Sequence, residues 1–344
     1  MCHSHLGTRR GTALRYLVQT VTALALLGCS EAPKTPVYEL TKEELLDPQS
    51  CERCHPDHVR EWAGSMHAYA GDDPVFVAMN ARGQRETGGA LGDFCVQCHA
   101  PMALALGLTT DGTKLDEVPQ HLRGVTCYFC HNVEAVEGTH NNPLRLADDL
   151  VMRGGISDPA ENTAHRSAYS NLLDRQTLES STLCGSCHDI VTPNGVHLER
   201  TFEEWKQSVF SRPEAPRRLS CGDCHMDGRN ATAADYPGVG IRRVHSHAMP
   251  GVDLAVTQWP EKAAQRSAVQ QMLDTTLLGQ LCVESGTNET AVDVKLENVA
   301  SGHSFPSGST SDRRVWVELT AWSNDEIIFQ SGVVENDQRL DLLE

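Results

Sequence analysis

Five copies of the pattern Cys-x-x-Cys-His run through the chain, and each copy places two thiols and an imidazole within five residues. The copies begin at Cys51, Cys95, Cys127, Cys184 and Cys221. Two thiols one helical turn apart can each form a thioether with one vinyl group of haem, and the histidine that follows can bind the iron. The spacing therefore predicts five covalently attached c-type haems.

The predicted attachment residues and proximal iron ligands follow directly from the pattern. The thioether cysteines are Cys51, Cys54, Cys95, Cys98, Cys127, Cys130, Cys184, Cys187, Cys221 and Cys224. The proximal histidines are His55, His99, His131, His188 and His225. Five centres in one chain indicate an electron-transfer wire or a multi-centre reductase rather than an enzyme with a single cofactor.

Zinc is the competing interpretation, because paired cysteines also build zinc ribbons. Zinc does not require a histidine directly after the second cysteine, yet all five copies have one. Zinc sites of this type also use two pairs, and five is an odd number. A thioredoxin-type redox motif would occur once, near a βαβ pattern. The pattern favours five haems, and the remaining alternative is that one of the five sites is degenerate.

Each iron has a sixth coordination position, and its occupant separates electron carriers from catalysts. A second histidine gives a low-spin haem suited to electron transfer, whereas an open position allows a substrate to bind. The best candidates for this distal position are His67, His121, His140, His165, His245, His247 and His303, with one ligand expected from the 245/247 pair. There are more candidate histidines than the five needed to fill every distal position, so the histidine count cannot reveal a haem with an open position.

Other side chains are weaker candidates for the distal position. His58 and His197 are the weaker candidates among the remaining histidines. Met66, Met226 and Met249 could bind iron instead, and would then raise its reduction potential. Packing in the core is the favoured interpretation of these methionines.

The first 28 residues have the features of a secretory signal peptide. Arg9, Arg10 and Arg15 form a positive region, and the apolar stretch that follows is too short to span a membrane as a mature helix. The segment that ends at Cys29 resembles the cleavage box of bacterial lipoproteins, which predicts Cys29 as a lipid anchor. The alternative is an ordinary signal peptide with an unrelated cysteine. The predicted location is the periplasmic or cell-surface face of the bacterial outer membrane.

The charge of the chain restricts its partners. The formal net charge is −17, and removal of the three arginines of residues 1–28 takes it to −20. Nucleic acid and anionic membrane surfaces are therefore poor partners, and contact with a membrane is expected through the lipid anchor only. Basic redox proteins are more plausible partners, although the charge could equally serve solubility alone.

The pattern along the mature chain predicts four regions. Residues 29–50 read as a lipid-anchored tether, residues 51–250 as the pentahaem domain, residues 251–284 as a helical connector and residues 285–344 as a small β unit that could be incomplete. With so many haems, the porphyrins themselves would form much of the core. The fold class expected is mainly α-helical and irregular, organised by haem, with a small C-terminal antiparallel β unit.

Periodicity predicts the individual elements. Helices are expected over 198–208 and 259–278, and turns at 161–163 and 193–195. Alternation of apolar and polar residues predicts strands over 291–299, 314–321 and 327–329, with a turn at 323–325 and with Val315, Val317 and Leu319 facing inward. An isolated sheet of three or four strands is marginal, so this unit must pack on something else.

Several segments resemble the multihaem cytochromes c related to the tetrahaem electron carrier of ammonia oxidisers. The resemblance covers roughly residues 50–335, and the segments that carry it are 51–67, 124–127, 183–189, 201–205, 224–226 and 302–308. It implies closely packed haems, mostly bis-histidine ligation, and electron transfer across the periplasm or the outer surface. Some relatives are catalytic, so the resemblance does not decide between carrier and enzyme.

The sequence thus favours an exported pentahaem cytochrome c that passes electrons between unidentified redox partner proteins, and favours an electron-transfer protein over a catalyst. One alternative is a reductase that acts on a small nitrogen compound or oxyanion at one open haem. A second is a subunit of an extracellular haem filament or outer-membrane conduit, with homo-oligomerisation as a related expectation.

Overall fold

The computed structural model describes residues 39–334. The predicted signal peptide, the predicted lipid anchor Cys29 and residues 335–344 lie outside the described residues, so those predictions stay predictions. Within 39–334, no helix combines the length and apolarity needed to cross a membrane.

The helices of the described region are short, and most have only one or two turns. They are α1 Lys42–Leu46, α2 Gln49–Glu52, α3 Pro56–Ala63, α4 Met66–Tyr69, α5 Pro74–Glu86, α6 Val96–His99, α7 Pro101–Ala105, α8 Cys127–His131, α9 Ser180–Gly185, α10 Thr201–Gln207, α11 Cys221–His225 and α12 Lys262–Thr276. Short helices joined by long irregular segments bury little apolar surface of their own, which is compatible with a core completed by cofactors.

The strands form two-stranded pairs and no larger sheet among the described residues. They are β1 Val133–Val136, β2 Leu144–Leu146, β3 Val151–Gly154, β4 Arg166–Tyr169, β5 Ile190–Val191, β6 His197–Glu199, β7 Gly228–Thr232, β8 Ile241–His245, β9 Leu277–Ser285, β10 Thr290–Asn298, β11 Leu319–Ser323 and β12 Glu326–Ser331. Each odd-numbered strand pairs with the next strand along the chain. Five pairs are antiparallel, and β3 with β4 is parallel.

Local sequence explains where two of the motif helices begin. The Thr126 hydroxyl accepts a hydrogen bond from the backbone of Phe129, which caps the helix of the third motif. At the fifth motif, Ser220 and Asp223 form a reciprocal capping box. Both caps fix the first turn of a helix that carries two cysteines and a histidine, so they orient the attachment residues.

The main apolar core of the described region lies around α1, α6, α7 and α8. Leu45, Val96, Ala103 and Tyr128 are its most deeply buried members. The hydroxyl of Tyr128 donates a hydrogen bond to the carbonyl of Asp149 at 2.7 Å. Tyr128 lies inside the third motif, and this contact makes it a packing residue whose polar end is already satisfied.

The C-terminal strands differ from the predicted β unit. Instead of one sheet, the structure has the separate hairpins β9–β10 and β11–β12. The predicted strand over 291–299 corresponds to β10, but the one over 314–321 is strand only from Leu319 onward. Val315 and Val317 are 50% and 42% exposed, so their predicted inward orientation is wrong. A segment that has no hydrogen-bonded partner strand is not held in a sheet, so the apolar face of its alternating pattern stays exposed.

Other local predictions agree with the structure. Asn324 and Asp325 have positive φ and join β11 to β12, which confirms the predicted turn. Gly195, with φ 79°, forms the predicted turn between β5 and β6. The helix predicted over 259–278 is α12, but it ends at Thr276, and the predicted helical connector over 251–284 is wrong beyond that point because residues 277–285 pair with β10 as β9. The helix predicted over 198–208 begins later, at Thr201, because residues 197–199 pair as β6.

Candidate functional site

The motif histidines all have one ring nitrogen engaged by the protein. In four of them, Nδ1 lies against a backbone carbonyl from a distant segment. The acceptors are Ala233 for His55 at 2.8 Å, Ala70 for His99 at 3.1 Å, Arg153 for His131, and Pro250 for His225 at 2.7 Å. A carbonyl can only accept, so Nδ1 carries the proton in these rings and Nε2 keeps its lone pair. Each ring is therefore in the tautomer that binds a metal through Nε2.

His188, in the fourth motif, has a different partner. Its Nδ1 lies 3.0 Å from the carboxylate Oε1 of Glu199, the last residue of β6. Burial acts to lower the pKa of His188, but the hydrogen bond and the charge of Glu199 outweigh it and raise that pKa to about 9. The same contact lowers the pKa of Glu199 against the effect of its own burial. The sequence analysis gave no role to Glu199.

Four motif histidines face a second histidine from a distant part of the chain. The ring centres are 6.4 Å apart for His55 and His165, 6.2 Å for His188 and His67, 6.3 Å for His131 and His247, and 6.3 Å for His225 and His303. The four separations agree within 0.2 Å, although the pairs come from unrelated segments.

The second histidines also have Nδ1 engaged. The ring of His165 lies 3.1 Å from the carbonyl of Arg166, that of His247 lies 3.1 Å from the carbonyl of His245, that of His303 lies 2.8 Å from the carbonyl of Ser304, and that of His67 lies 2.9 Å from the sulfur of Met249. Nε2 is thereby left as the metal-binding nitrogen on both sides of each pair.

The separation tests whether the four pairs fit an iron shared between two imidazoles. A metal–imidazole nitrogen bond is about 2.0–2.1 Å, and the ring centre lies roughly 1.1 Å behind the nitrogen, which puts the two centres about 6.3 Å apart. The observed 6.2–6.4 Å matches this requirement. The residues therefore fit four haem irons with histidine on both sides. A zinc site would need four converging ligands, and within residues 39–334 no group of three such side chains is arranged to hold a metal ion.

Burial favours the neutral form of three of these imidazoles, and the neutral form is the one that binds a metal. Burial lowers the pKa of His67 to about 3 and that of His131 to about 4. It also lowers the pKa of His247 well below its usual value. A neutral ring offers its lone pair to a metal at physiological pH without first losing a proton.

The structure places the other predicted distal candidates elsewhere. His121 and His140 are exposed, and among the described residues neither makes a ring contact. His245 lies in β8, where its Nδ1 is 2.8 Å from the carbonyl of Met226, and within residues 39–334 its ring pairs with no motif histidine, so the 245/247 pair contributes one ring, that of His247. His58 packs edge-on against His247 with ring centres 4.6 Å apart, too close for an iron between them.

The second motif is the one whose histidine has no histidine opposite it within residues 39–334. His99 instead stacks on Phe76, with ring centres 4.0 Å apart and planes 5° from parallel. This contact covers a face of the imidazole and supports the orientation set by the Ala70 carbonyl. It leaves the sixth position of an iron bound to His99 without a histidine ligand from the described chain.

Cysteines of different motifs contact each other, which gives the order of the motifs in space. The thiols of Cys51 and Cys127 lie close enough for each to shift the pKa of the other, and the same holds for Cys98 with Cys187 and for Cys184 with Cys221. The first motif therefore lies beside the third, the second beside the fourth, and the fourth beside the fifth. Cys130 and Cys184 also interact electrostatically, which joins the third motif to the fourth.

Arg175 is a buried cation at the junction of the third, fourth and fifth motifs. It is 7% exposed, and its guanidinium lies 3.5 Å from the carbonyl of Ser180 and 4.0 Å from the sulfur of Cys184. No carboxylate of residues 39–334 forms an ion pair with it. A buried charge without a counter-charge is unfavourable. A haem propionate is negatively charged and would supply the counter-charge that the described residues do not give Arg175. Gly222 makes room for it, since a Cβ there would lie 2.3 Å from Cδ of Arg175.

The loop that carries His303 is held by α10. One oxygen of Glu204 accepts hydrogen bonds from the backbone of Ser304 at 3.1 Å and the hydroxyl of Ser307 at 2.7 Å. Thr201 hydrogen-bonds to Ser307 at 2.7 Å and accepts from the backbone of Gly308 at 3.1 Å. Two sequence segments that resemble the multihaem cytochromes, 201–205 and 302–308, are thus in direct contact.

Comparison with known proteins supports a haem protein. Residues 50–132 match the sequence model of the family described as Cytochrome c554 and c-prime, and this stretch contains the first three motifs. No curated protein and no solved structure matches the chain significantly. The family match relates the chain to the multihaem c-type cytochromes, and with them to covalently bound c-type haem and electron transfer.

Proposed function

We propose that the chain is an exported pentahaem c-type cytochrome that transfers electrons between redox partner proteins. The observation that carries this proposal is the set of four histidine pairs whose ring centres lie 6.2–6.4 Å apart. Iron held by histidine on both sides offers no position to a substrate, and such centres serve electron transfer.

Haem bound at the five motifs would supply one-electron redox chemistry. The ten motif cysteines would hold the porphyrins through thioethers, and the paired histidines would hold four irons from both faces. Hydrogen bonds at Nδ1 fix the rotation of each imidazole, so the fold would set the orientation of the histidine ligands. The contacts between motif cysteines leave no motif isolated, which suits a continuous path for electrons.

The experiment that tests the proposal is a combined haem count and spin-state measurement on the purified protein. Intact mass after acid extraction should exceed that of the processed apoprotein by five haem masses. Electron paramagnetic resonance of the oxidised protein should give four low-spin haems and one haem of different ligation. Rapid oxidation of the reduced protein by a redox protein, without turnover of a small substrate, would favour an electron carrier over a reductase. Four or five high-spin haems would contradict the ligand pairs.

A second candidate function is reduction of a small nitrogen compound or oxyanion at the second motif. The observation that favours it is His99, which faces no histidine of the described chain and packs on Phe76 instead. An iron bound there would have a position for an external ligand. Stoichiometric binding of carbon monoxide at one haem is expected in either case. Turnover of nitrite or hydroxylamine on the order of 10 per second would favour the reductase, and its absence would favour the carrier.

Location and assembly are further parts of the proposal. Lipid anchoring through Cys29 at the outer membrane is supported by the sequence of the cleavage box, and export is in keeping with the family match of residues 50–132. Assembly into a conduit or a homo-oligomer rests on the number of haems alone. Co-purification with an outer-membrane barrel, or a polymeric state in solution, would favour such an assembly over a soluble carrier.

A further inference from the structure

One motif histidine is held by a charge, and the other four are held by neutral carbonyls. His188 lies 3.0 Å from the Glu199 carboxylate, whereas the corresponding nitrogens of His55, His99, His131 and His225 face backbone oxygens. Nothing in the Cys-x-x-Cys-His pattern distinguishes the fourth motif from the rest. The difference arises from β6, which brings a glutamate to a position where the other motifs receive main chain.

The position of Glu199 is fixed by the strand that carries it and by the contacts of its side chain. It ends β6, where it pairs with Ile190 of β5, and its side chain is 17% exposed. The hydroxyl of Thr201 lies 3.3 Å from the same oxygen that faces His188. Within residues 39–334 the carboxylate forms no ion pair with lysine or arginine. The nearby cation Arg313 is occupied by both oxygens of Asp253 at 2.6 and 2.7 Å. Glu199 therefore makes its hydrogen-bonded contact with His188, and its charge acts on His99 of the second motif only through space.

We propose that Glu199 is a positioning residue that lowers the reduction potential of the fourth haem below the potentials of the other bis-histidine haems. This inference rests on the proposed function, because it takes His188 and His67 as the two ligands of that iron. A carboxylate that accepts the Nδ1 proton in a hydrogen bond makes the imidazole a stronger donor. A stronger donor stabilises ferric iron, which carries one more positive charge than ferrous iron. Reduction adds one electron, no bond forms or breaks, and the proton stays on Nδ1.

The position of the fourth motif gives this tuning a consequence for electron flow. The fourth motif lies beside the second at Cys98 and Cys187 and beside the fifth at Cys184 and Cys221, and Cys184 interacts electrostatically with Cys130 of the third motif. It is the junction of the set. A lower reduction potential at the fourth haem would leave that haem oxidised in the partly reduced protein. The electrons would then reside on the haems of the neighbouring motifs.

The test compares Glu199→Gln with the matched control Glu203→Gln. Glutamine at 199 keeps an acceptor for the Nδ1 proton and removes the charge. Glu203 is a nearby residue of α10 whose side chain pairs with Arg200 and Lys206 and contacts no motif histidine. In redox titrations, Glu199→Gln should favour reduction of one haem at least tenfold, which is about 59 mV for a one-electron couple. Glu203→Gln should leave all five couples within experimental error.

The shifted haem is identified in a background that combines His67→Ala with Met249→Ala, where the fourth iron should become high-spin and five-coordinate when reduced. Resonance Raman spectroscopy then reports its iron–histidine stretch, which should fall in frequency when Glu199→Gln is added. If the His67→Ala, Met249→Ala variant leaves every spin state unchanged, the ligand pair and with it the underlying assignment is wrong. If the spin state changes but Glu199→Gln alters neither the stretch nor any couple, the role of Glu199 is refuted and the electron-transfer proposal stands.

A conservative variant separates charge from structural damage. Glu199→Asp retains the charge but shortens the side chain by one methylene, so the contact with His188 should lengthen and the shift should be smaller than that of Glu199→Gln. A shift in Glu199→Asp as large as in Glu199→Gln would mean that packing and not charge controls the couple. If Glu199→Gln does not fold, the aspartate variant decides the question: its fourth couple should shift by less than tenfold because the charge is kept, and a shift of tenfold or more would overturn the proposal.

Discussion

Replacement of Glu204 by alanine should release the loop that brings His303 to His225. Glu204 is a half-buried residue of α10, and one of its oxygens accepts both the Ser304 backbone at 3.1 Å and the Ser307 hydroxyl at 2.7 Å. Alanine is a good helix former, so α10 should persist. The change then acts on the loop, where Thr201 still contacts Ser307 and Gly308 and limits the release.

The size of the effect follows from the two hydrogen bonds. A hydrogen bond to a charged acceptor contributes about 1.5–3 kcal/mol, and partial exposure of Glu204 argues for the lower end, or about 3 kcal/mol for both bonds. Since about 1.4 kcal/mol corresponds to a factor of ten, the equilibrium between a held and a released loop should shift by a factor on the order of 100. The ratio of molecules in which His303 is released from the iron bound to His225 to those in which it is held would rise by the same factor.

The assay is competition between His303 and carbon monoxide for that iron in the reduced protein. Wild-type protein should bind carbon monoxide at one haem, that of His99, and the Glu204→Ala variant should bind a second equivalent with affinity raised on the order of 100-fold. The matched control is Glu203→Ala, the same change one residue earlier, which removes no contact with the loop. Unchanged stoichiometry and affinity in Glu204→Ala would refute the reasoning, because they would mean that His303 is held without the hydrogen bonds of Glu204 or is not a ligand.

Further expectations concern the haem count, one ligand, the buried cation and the anchor. Five haems should stay attached after denaturation, and zinc, or fewer than four haems by mass, would contradict the five-haem assignment. His67→Ala should convert one low-spin haem to high-spin in electron paramagnetic resonance, with Met249→Ala added because that sulfur lies 2.9 Å from the His67 ring and could replace it. Arg175→Gln should make at least one neighbouring haem harder to reduce, by about 1–2 kcal/mol in a spectroelectrochemical titration, and unchanged couples would show that the cation is screened. Cys29→Ala should block lipoprotein processing and release the protein from membranes, so normal processing with unchanged fractionation would exclude the lipid anchor.

The chemistry of attachment is local, and the sequence by itself was sufficient to predict it. Two thiols and an imidazole within five residues define where a haem is expected whatever the rest of the chain does. The same applies to short-range features such as the Ser220 cap and the turn at Asn324 and Asp325, because each depends on hydrogen bonds or dihedral angles of neighbouring residues. The prediction of an inward-facing strand around Val315 failed, because a strand needs a partner that local pattern cannot supply.

The second ligands could not be chosen from sequence, since a ring near a motif in the chain need not be near it in space. His121 precedes the third motif by six residues and is exposed, whereas His247, more than 100 residues away, faces His131 at 6.3 Å. Every pair in the structure joins segments more than 75 residues apart. Such long-range approaches depend on how the whole chain packs, as do the burial of Arg175 and the placement of Glu199 against His188. Residue type and spacing therefore determined that haem is expected and at which cysteines, and tertiary structure alone decided which side chains lie opposite and beside each motif histidine.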